Sequence, residues 1–298
     1  MTTLYYLTKR NCKLFFKDKG MFFTSLITPL ILLVLYATFL AKIYHDSFVS
    51  AIPAGFPISD SLIDATVAGQ LISSLLAVSC VTVSFCSNLL MVQDKVSGAR
   101  RDLTVTPLRR DTLALAYFFG ATLCTLIVNL VAYGACLLYL SGVGFYMSVG
   151  DVFAVLSDVI LLTLFGVAIS SCISFPLSTN GQATAVGTIV SSAYGFICGA
   201  YMPISNFSDG LQKALSFLPG TYGTALLRNH AMRGVYAEMA DTGFPSEVID
   251  GIRDSIDCNL YFFGHAVSEG AMYAILCGST AVLILLYVLL NVLGAKKH

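Results

Sequence analysis

Few side chains in this sequence are equipped for nucleophilic, acid–base or metal chemistry, and their spacing does not assemble them. Four histidines stand at positions 45, 230, 265 and 298. His45, His230 and His265 fall in segments read below as external, His298 is terminal, and none is placed with a nucleophile. The nine cysteines show no Cys-x-x-Cys pair and no Cys/His spacing of the kind that holds zinc. Seven of them (Cys80, Cys86, Cys124, Cys136, Cys172, Cys198, Cys277) lie in apolar runs, where cysteine behaves as a small apolar residue. Cys12 and Cys258 are expected on opposite faces of a bilayer, which leaves Cys258 as a lone external thiol. A Gly-x-x-x-x-Gly-Lys-Ser/Thr phosphate loop, a His-Glu-x-x-His helix and a Gly-x-Ser-x-Gly elbow are all absent from the sequence. The sequence therefore predicts neither an enzyme active site nor a cofactor or metal bound by this chain.

The elements that position the remaining polar residues are membrane helices. Of 298 residues, 56% are hydrophobic and 11% charged, and the mean hydropathy is +0.79. Soluble domains carry about a quarter charged residues, so a soluble enzyme is excluded. Uncharged runs occupy 20–41, 65–93, 112–150, 159–208 and 270–295. Each exceeds the roughly 18 apolar-rich residues of a bilayer crossing. The run 159–208 would be about 75 Å long as one helix, too long for a single span, and Pro176 to Gln182 breaks it. The predicted fold is all-α with six transmembrane helices near 21–41, 65–91, 113–141, 152–175, 183–203 and 271–293. Pro29 is expected to kink the first of these. That first apolar stretch is too long for the core of a secretory signal and reads as retained.

Charge sidedness orients the bundle. Seventeen basic residues balance seventeen acidic ones, and nucleic acid is not an expected partner. Five basic residues precede the first span, Lys95, Arg100, Arg101, Arg109 and Arg110 separate the second from the third, and Lys296 and Lys297 follow the last. That puts twelve of the seventeen on one side, which the positive-inside rule makes cytosolic together with both termini. The whole chain, 1–298, reads as one multi-pass domain of a plasma membrane, most simply a bacterial cell membrane.

Four further segments stand out. Residues 1–20 form an amphipathic helix, with Lys9, Lys13 and Lys17 four apart, expected at the headgroups of membrane lipid. Residues 92–112 are the one sizeable cytosolic loop, in which Val96, Leu103 and Val105 offer apolar anchors among eight charges. The long external segment 204–270 predicts two half-helices, 208–217 and 219–233, with Gly234 ending the second, followed by an amphipathic helix over 245–257. Helix two is rich in hydroxyls, Ser74 and Thr82 among them, and helix five carries small residues four apart from Ala183 through Ser191 and Gly195 to Gly199. Either set could line a path or simply pack. Asp158 reads as an interfacial charge near the external face.

Two stretches resemble the ABC-2 type permeases, the membrane subunits of a class of ATP-binding cassette exporters. Asp94-Lys95-x-x-Gly98, then Arg100, Arg101 and Leu103-x-x-x-Pro107, looks like the family's coupling segment, with Val96 where the family has a second acid. Pro203, then Pro219, Tyr222 and Arg228, looks like its signature around the fifth helix and re-entrant pair, with Gly220 in place of an apolar residue. The resemblance implies a permease without its own ATPase site. ATP and Mg would be held by a separate ATPase subunit resting on the coupling loop. A second permease chain, identical or a close paralogue, would complete an export path. Helices two and five would line that path, with Ser74, Thr82, Phe85, Ser191, Tyr194 and Gly195 as candidates, and Pro203, Pro219, Tyr222 and Arg228 would belong to an external gate. The implied cargo is amphiphilic: a drug, a peptide or a lipid-like molecule. Export of a lipid-linked glycan by the same mechanism, and a non-transporting membrane sensor or immunity protein, are the alternatives.

Overall fold

The computed structural model describes residues 2–42, 45, 59–105 and 108–293. The elements follow as α1 (Thr2–Lys17), α2 (Lys19–Leu35, continued by a π-helical turn Tyr36–Leu40), α3 (Asp60–Val96), α4 (Ala99–Val105), α5 (Arg110–Val143), α6 (Val149–Ser174) and α7 (Asn180–Ile197). A 3₁₀ turn (Ile204–Asn206) leads to α8 (Asp209–Leu215), α9 (Pro219–Asp241), α10 (Ser246–Ser255), β1 (Tyr261–Phe262), β2 (His265–Ala266) and α11 (Glu269–Leu293). Local signals set several starts. The side chains of Asp18, Ser59 and Thr179 accept from the backbone N–H three residues on, and Ser148 with Asp151 makes a reciprocal capping box that opens α6.

The 37 residues of α3 make a helix about 55 Å long, and it is the axis of the bundle. It packs along α2, α5, α6, α7 and α9. A Cβ on Gly166 of α6 would stand 2.6 Å from the Cys80 carbonyl oxygen, so these two helix backbones touch and only glycine fits. Polarity is distributed in reverse of a water-soluble protein. Ser73, Ser79, Ser84, Asn88, Asn129 and Thr163 are buried, while Ile31 and Val34 of α2, Val131 of α5 and Val282 and Leu285 of α11 are exposed. Such a surface is stable only against hydrocarbon.

Among the described residues, α3, α5, α6 and α11 are long and apolar enough to cross a bilayer, and the pair α1–α2, bent by 76°, makes a fifth when taken as one broken span. The helix expected over 183–203 is shorter than predicted. α7 ends at Ile197 because Gly199 turns the chain at φ +75°, and the N–H groups of Ala200 and Tyr201 both return to the Gly195 carbonyl. At 18 residues α7 measures about 27 Å.

The second half-helix is longer than the sequence implied. α9 runs past Gly234 to Asp241. Gly234 is not a terminator there; a Cβ on it would meet the Tyr146 carbonyl oxygen at 1.9 Å, so its role is to admit the α5–α6 connection. The stretch Gly220–Met232 is buried along its whole length against α3, α6 and α11. The predicted amphipathic helix is α10, whose Ile249, with Val248, Ile252 and Ile256, packs on Leu62, Met232, Tyr236 and Met239. A short hairpin absent from the all-α expectation pairs Tyr261 with Ala266, its turn made by Phe263 and Gly264, both at positive φ.

Candidate functional site

Two polar centres lie along α3, one at its C-terminal end and one near its middle. The first is the corner between α3 and α4. Gly98 forms it at φ +83°, a backbone region that side-chain-bearing residues avoid. Asp94, buried, accepts 2.6 and 3.1 Å bonds from the two guanidinium nitrogens of Arg10 and a 2.6 Å bond from the Tyr117 hydroxyl. That joins α3 to α1 and α5. Lys95 turns the other way. Its Nζ donates to the carbonyls of Ser174, Phe175 and Leu177, capping the C-terminal end of α6, and lies over the Phe175 ring. Arg100 donates to Asn291 Oδ1 of α11 at 3.2 Å and also faces Phe175. Residues 94–100 thus hold the middle of α1, the first turns of α5 and the ends of α6 and α11.

The outward face of this corner differs from the one the sequence implied. Leu103 packs inward, half-buried, against the cluster of Met91, Leu113, Tyr117 and Tyr287. Val105 is 82% exposed and Val96 49%, and Arg101 is exposed with them. Val105 and Arg101, rather than Leu103, form the exposed face of the corner. Pro107 lies outside the described residues.

Between the two centres the hydroxyls of α3 bond within the bundle. Ser79 donates to Asn129 Oδ1, and Asn129 Nδ2 donates to Thr163, a ladder across α3, α5 and α6. Ser87 accepts from Thr125, and Asn88 meets Ser170 and Ser171. Thr82 bonds back to the Val78 carbonyl, and Phe85 is buried.

The second centre is built on Arg228, the largest fully buried side chain of the protein's described residues. Its guanidinium donates to the carbonyls of Ile256 (2.6 Å) and Gly199 and to the Ser74 hydroxyl (3.3 Å), with Asp257 Oδ2 at 3.9 Å. Asp257, at φ +56°, accepts in turn from the N–H groups of Ile204 and Ser205, next to Pro203. Arg228 so ties α9 to α3, to the turn after α7 and to the turn after α10. Burial pushes the Asp257 carboxyl above its ordinary range, against the opposing pull of Arg228 and the two backbone donors.

Pro219 opens α9 at its first turn, and Tyr222 donates to the Ser216 carbonyl at 2.6 Å, fastening α8 to α9. Gly195 carries the Tyr201 ring, which fills the place of a Cβ at 2.3 Å, and Ser191, one turn earlier, is half-buried. Tyr194 reaches Gly220, where a Cβ would meet its hydroxyl at 2.5 Å. The glycine at that position is thus explained by its neighbour. A cavity of about 640 Å³ adjoins the centre, walled in part by Thr221, Tyr222, Asp254, Asp257, Tyr261 and Phe263.

The model of the family described as ABC-2 type transporter matches residues 2–231, more than three quarters of the chain. The chain belongs to the ABC-2 type transporter family. No curated protein matches it. The family match covers both ends of the ABC-2 domain's central helix and stops within α9, so α10, the hairpin and α11 lie beyond it. As a member, the chain is a permease subunit of an ABC-type transporter and a multi-pass membrane protein.

A further sequence expectation is overturned. Asp158 is not an interfacial charge. It is 1% exposed and held between His230 Nδ1 and the Tyr273 hydroxyl, both at 2.5 Å. His230, expected to be external and unengaged, is buried with it. Tyr117, Asn291 and Asp257 were also not singled out. Tyr117 and Asn291 are polar side chains in apolar helices, which is the signal that could have found them; Asp257 follows the charged, amphipathic α10 and carries no such signal.

Proposed function

We propose that this chain is half of an ATP-driven exporter, with the α3–α4 corner as the place where a separate ATPase subunit, holding ATP and Mg, applies force. The observation that carries this reading is the set of bonds at the corner: Asp94 to Arg10 and Tyr117, Lys95 to the end of α6, and Arg100 to Asn291. Displacing a surface so connected must displace several helix ends at once. A merely solvated basic turn would need none of these bonds.

In this reading α2, α3, α5, α6, α7 and α11 are six spans, both termini and the corner are cytosolic, and α1 lies at the headgroups. The bacterial cell membrane is the membrane in question. A second permease copy or close paralogue faces α7, and an amphiphilic cargo leaves between the copies past Ser191 and Tyr194; Ser74, Thr82 and Phe85, buried within the bundle, join that path only when the helices tilt apart. Arg228 and its partners hold the external end closed until the helices tilt. The cargo class rests on the apolar side chains that α7 exposes, Ile189 and Phe196 among them.

The test is purification in mild detergent followed by one substitution. A soluble ATPase is expected to co-purify at equal copy number. Val105→Asp is expected to abolish cargo-stimulated ATP hydrolysis while the chain stays in the membrane. Hydrolysis and export that persist in the variant would show that the corner is not the coupling element.

A further inference from the structure

Beside the α3–α4 corner is a groove of about 310 Å³ lined by Lys95, Arg100, Arg101 and Arg110, with Leu113 and Asn291 in its wall and no acidic residue. The nearest acids are engaged elsewhere or turned outward. Asp94 is bonded to Arg10 and Tyr117, Asp111 pairs with Arg109, and Asp102 is exposed. Among the described residues, the four cations of the groove find only neutral partners. Lys95 meets carbonyls, Arg100 meets the Asn291 amide and the face of Phe175, and the Arg101 and Arg110 side chains make no ion pair. Four like charges converging on one small space repel one another, and an anion relieves that repulsion. Guanidinium forks match the oxygens of a phosphate group better than any other common anion except a carboxylate.

We propose that this groove binds a phosphate-bearing anion, supplied as the headgroup of an anionic lipid. The lipid source is favoured by what adjoins the groove. Asn291 sits in the last turns of α11, whose outer faces expose Leu289, Val292 and Leu293, so acyl chains can lie against the same helix end that walls the groove. Basic pockets between spans at the headgroup level hold lipid phosphates by this combination of charge and apolar wall. A bound headgroup would bridge α4, α5 and α11, and so stiffen the corner that the proposed function assigns to coupling. The inference shares the sidedness of that reading, but lipid binding is read without ATP hydrolysis.

The experiment uses the full-length chain, delipidated in detergent, and native mass spectrometry with added phosphatidylglycerol or phosphatidylcholine. The wild-type chain is expected to retain phosphatidylglycerol and not phosphatidylcholine. Arg101→Gln combined with Arg110→Gln removes two groove cations that hold no other element, and is expected to weaken that retention on the order of tenfold or more. Arg109→Gln removes one charge from outside the groove, against two in the double variant, and is expected to leave retention unchanged. Equal retention in all three proteins, or a loss per removed charge in R109Q equal to that of the double variant, would overturn the site in favour of diffuse surface attraction. Displacement of the lipid by millimolar inorganic phosphate supports the phosphate chemistry. Binding of phosphate with no retention of the lipid would overturn the lipid source. Loss of the lipid on adding the ATPase subunit would assign the groove to that protein and overturn the proposal. A groove that retains lipid in a chain that brings down no ATPase would leave this inference standing and remove the exporter reading.

Discussion

The imidazole of His230 and the carboxylate of Asp158 meet at 2.5 Å in the interior, joining α9 to α6. Tyr273 of α11 donates to the other oxygen of the same carboxylate, so three helices converge on one side chain. His230 Nε2 stands 3.9 Å from Glu269 Oε2, and Glu269 also faces Arg233, whose other nitrogen reaches Asp151. The innermost pair is the one that cannot be hydrated. Asp158→Ala is expected to lower stability by roughly 2–5 kcal/mol, because it leaves the buried His230 and the half-buried Tyr273 without their partner. Thermal unfolding in detergent measures this, and a variant that melts with the wild type would show that the three helices are held by apolar packing alone.

Asp94 presents the same logic at the opposite end, where its loss frees an element instead of loosening the interior. Asp94→Ala is expected to release α1 from the bundle by removing both Arg10 bonds and the Tyr117 bond, at a cost of about 2–4 kcal/mol. Tyr117→Phe, which removes one bond of the three, is expected to cost about 1 kcal/mol. Limited proteolysis between α1 and α2 reports the release, and resistance equal to wild type in D94A would contradict it.

Gly220 and Tyr194 should behave as a pair. Gly220→Ala places a methyl group 2.5 Å from the Tyr194 hydroxyl, an overpacking expected to cost about 1–3 kcal/mol. Tyr194→Phe removes that oxygen, which makes no hydrogen bond among the described residues, and is expected to restore most of the loss in the double variant. Additive effects in the double-mutant cycle would mean that the two side chains do not compete for the space.

The pH dependence at Arg228 has a definite sign. Burial raises the Asp257 carboxyl above its ordinary value of 3.8, so the folded chain binds the proton more tightly than the unfolded one. This group's contribution is most favourable below about pH 4 and declines as pH rises through the raised folded value. The difference in melting temperature between wild type and Asp257→Asn is therefore expected to shift toward the wild type on acidification from neutral pH. A shift of the opposite sign would mean that the Arg228 pairing outweighs the burial.

The helices were legible in the sequence because apolar runs between charge bursts are long and few. The corner was legible for a different reason: Gly98 and the charges around it interrupt those runs. Bonds across the bundle were harder to read. Nothing along the chain announces that Asp158 faces His230, 72 residues away, or that Lys95 reaches the end of α6. Burial also reversed two local readings. Gly234 carries the sequence signal of a helix end, yet the approaching Tyr146 backbone explains it and α9 continues. Leu103 looks like an exposed anchor in a loop of charges, yet the cluster under Tyr287 takes it inward. Both follow from tertiary neighbours that a local pattern does not contain.

No proline interrupts α3 between Asp60 and Val96. Ser74, the Arg228 acceptor, and Asp94, the Arg10 acceptor, are twenty residues apart on it, about 30 Å of unbroken helix. Such a rod has no joint at which a push on one end could be absorbed. Tilting it about the Gly166 contact, which lies between the two, would swing its ends in opposite directions, like a seesaw on its fulcrum.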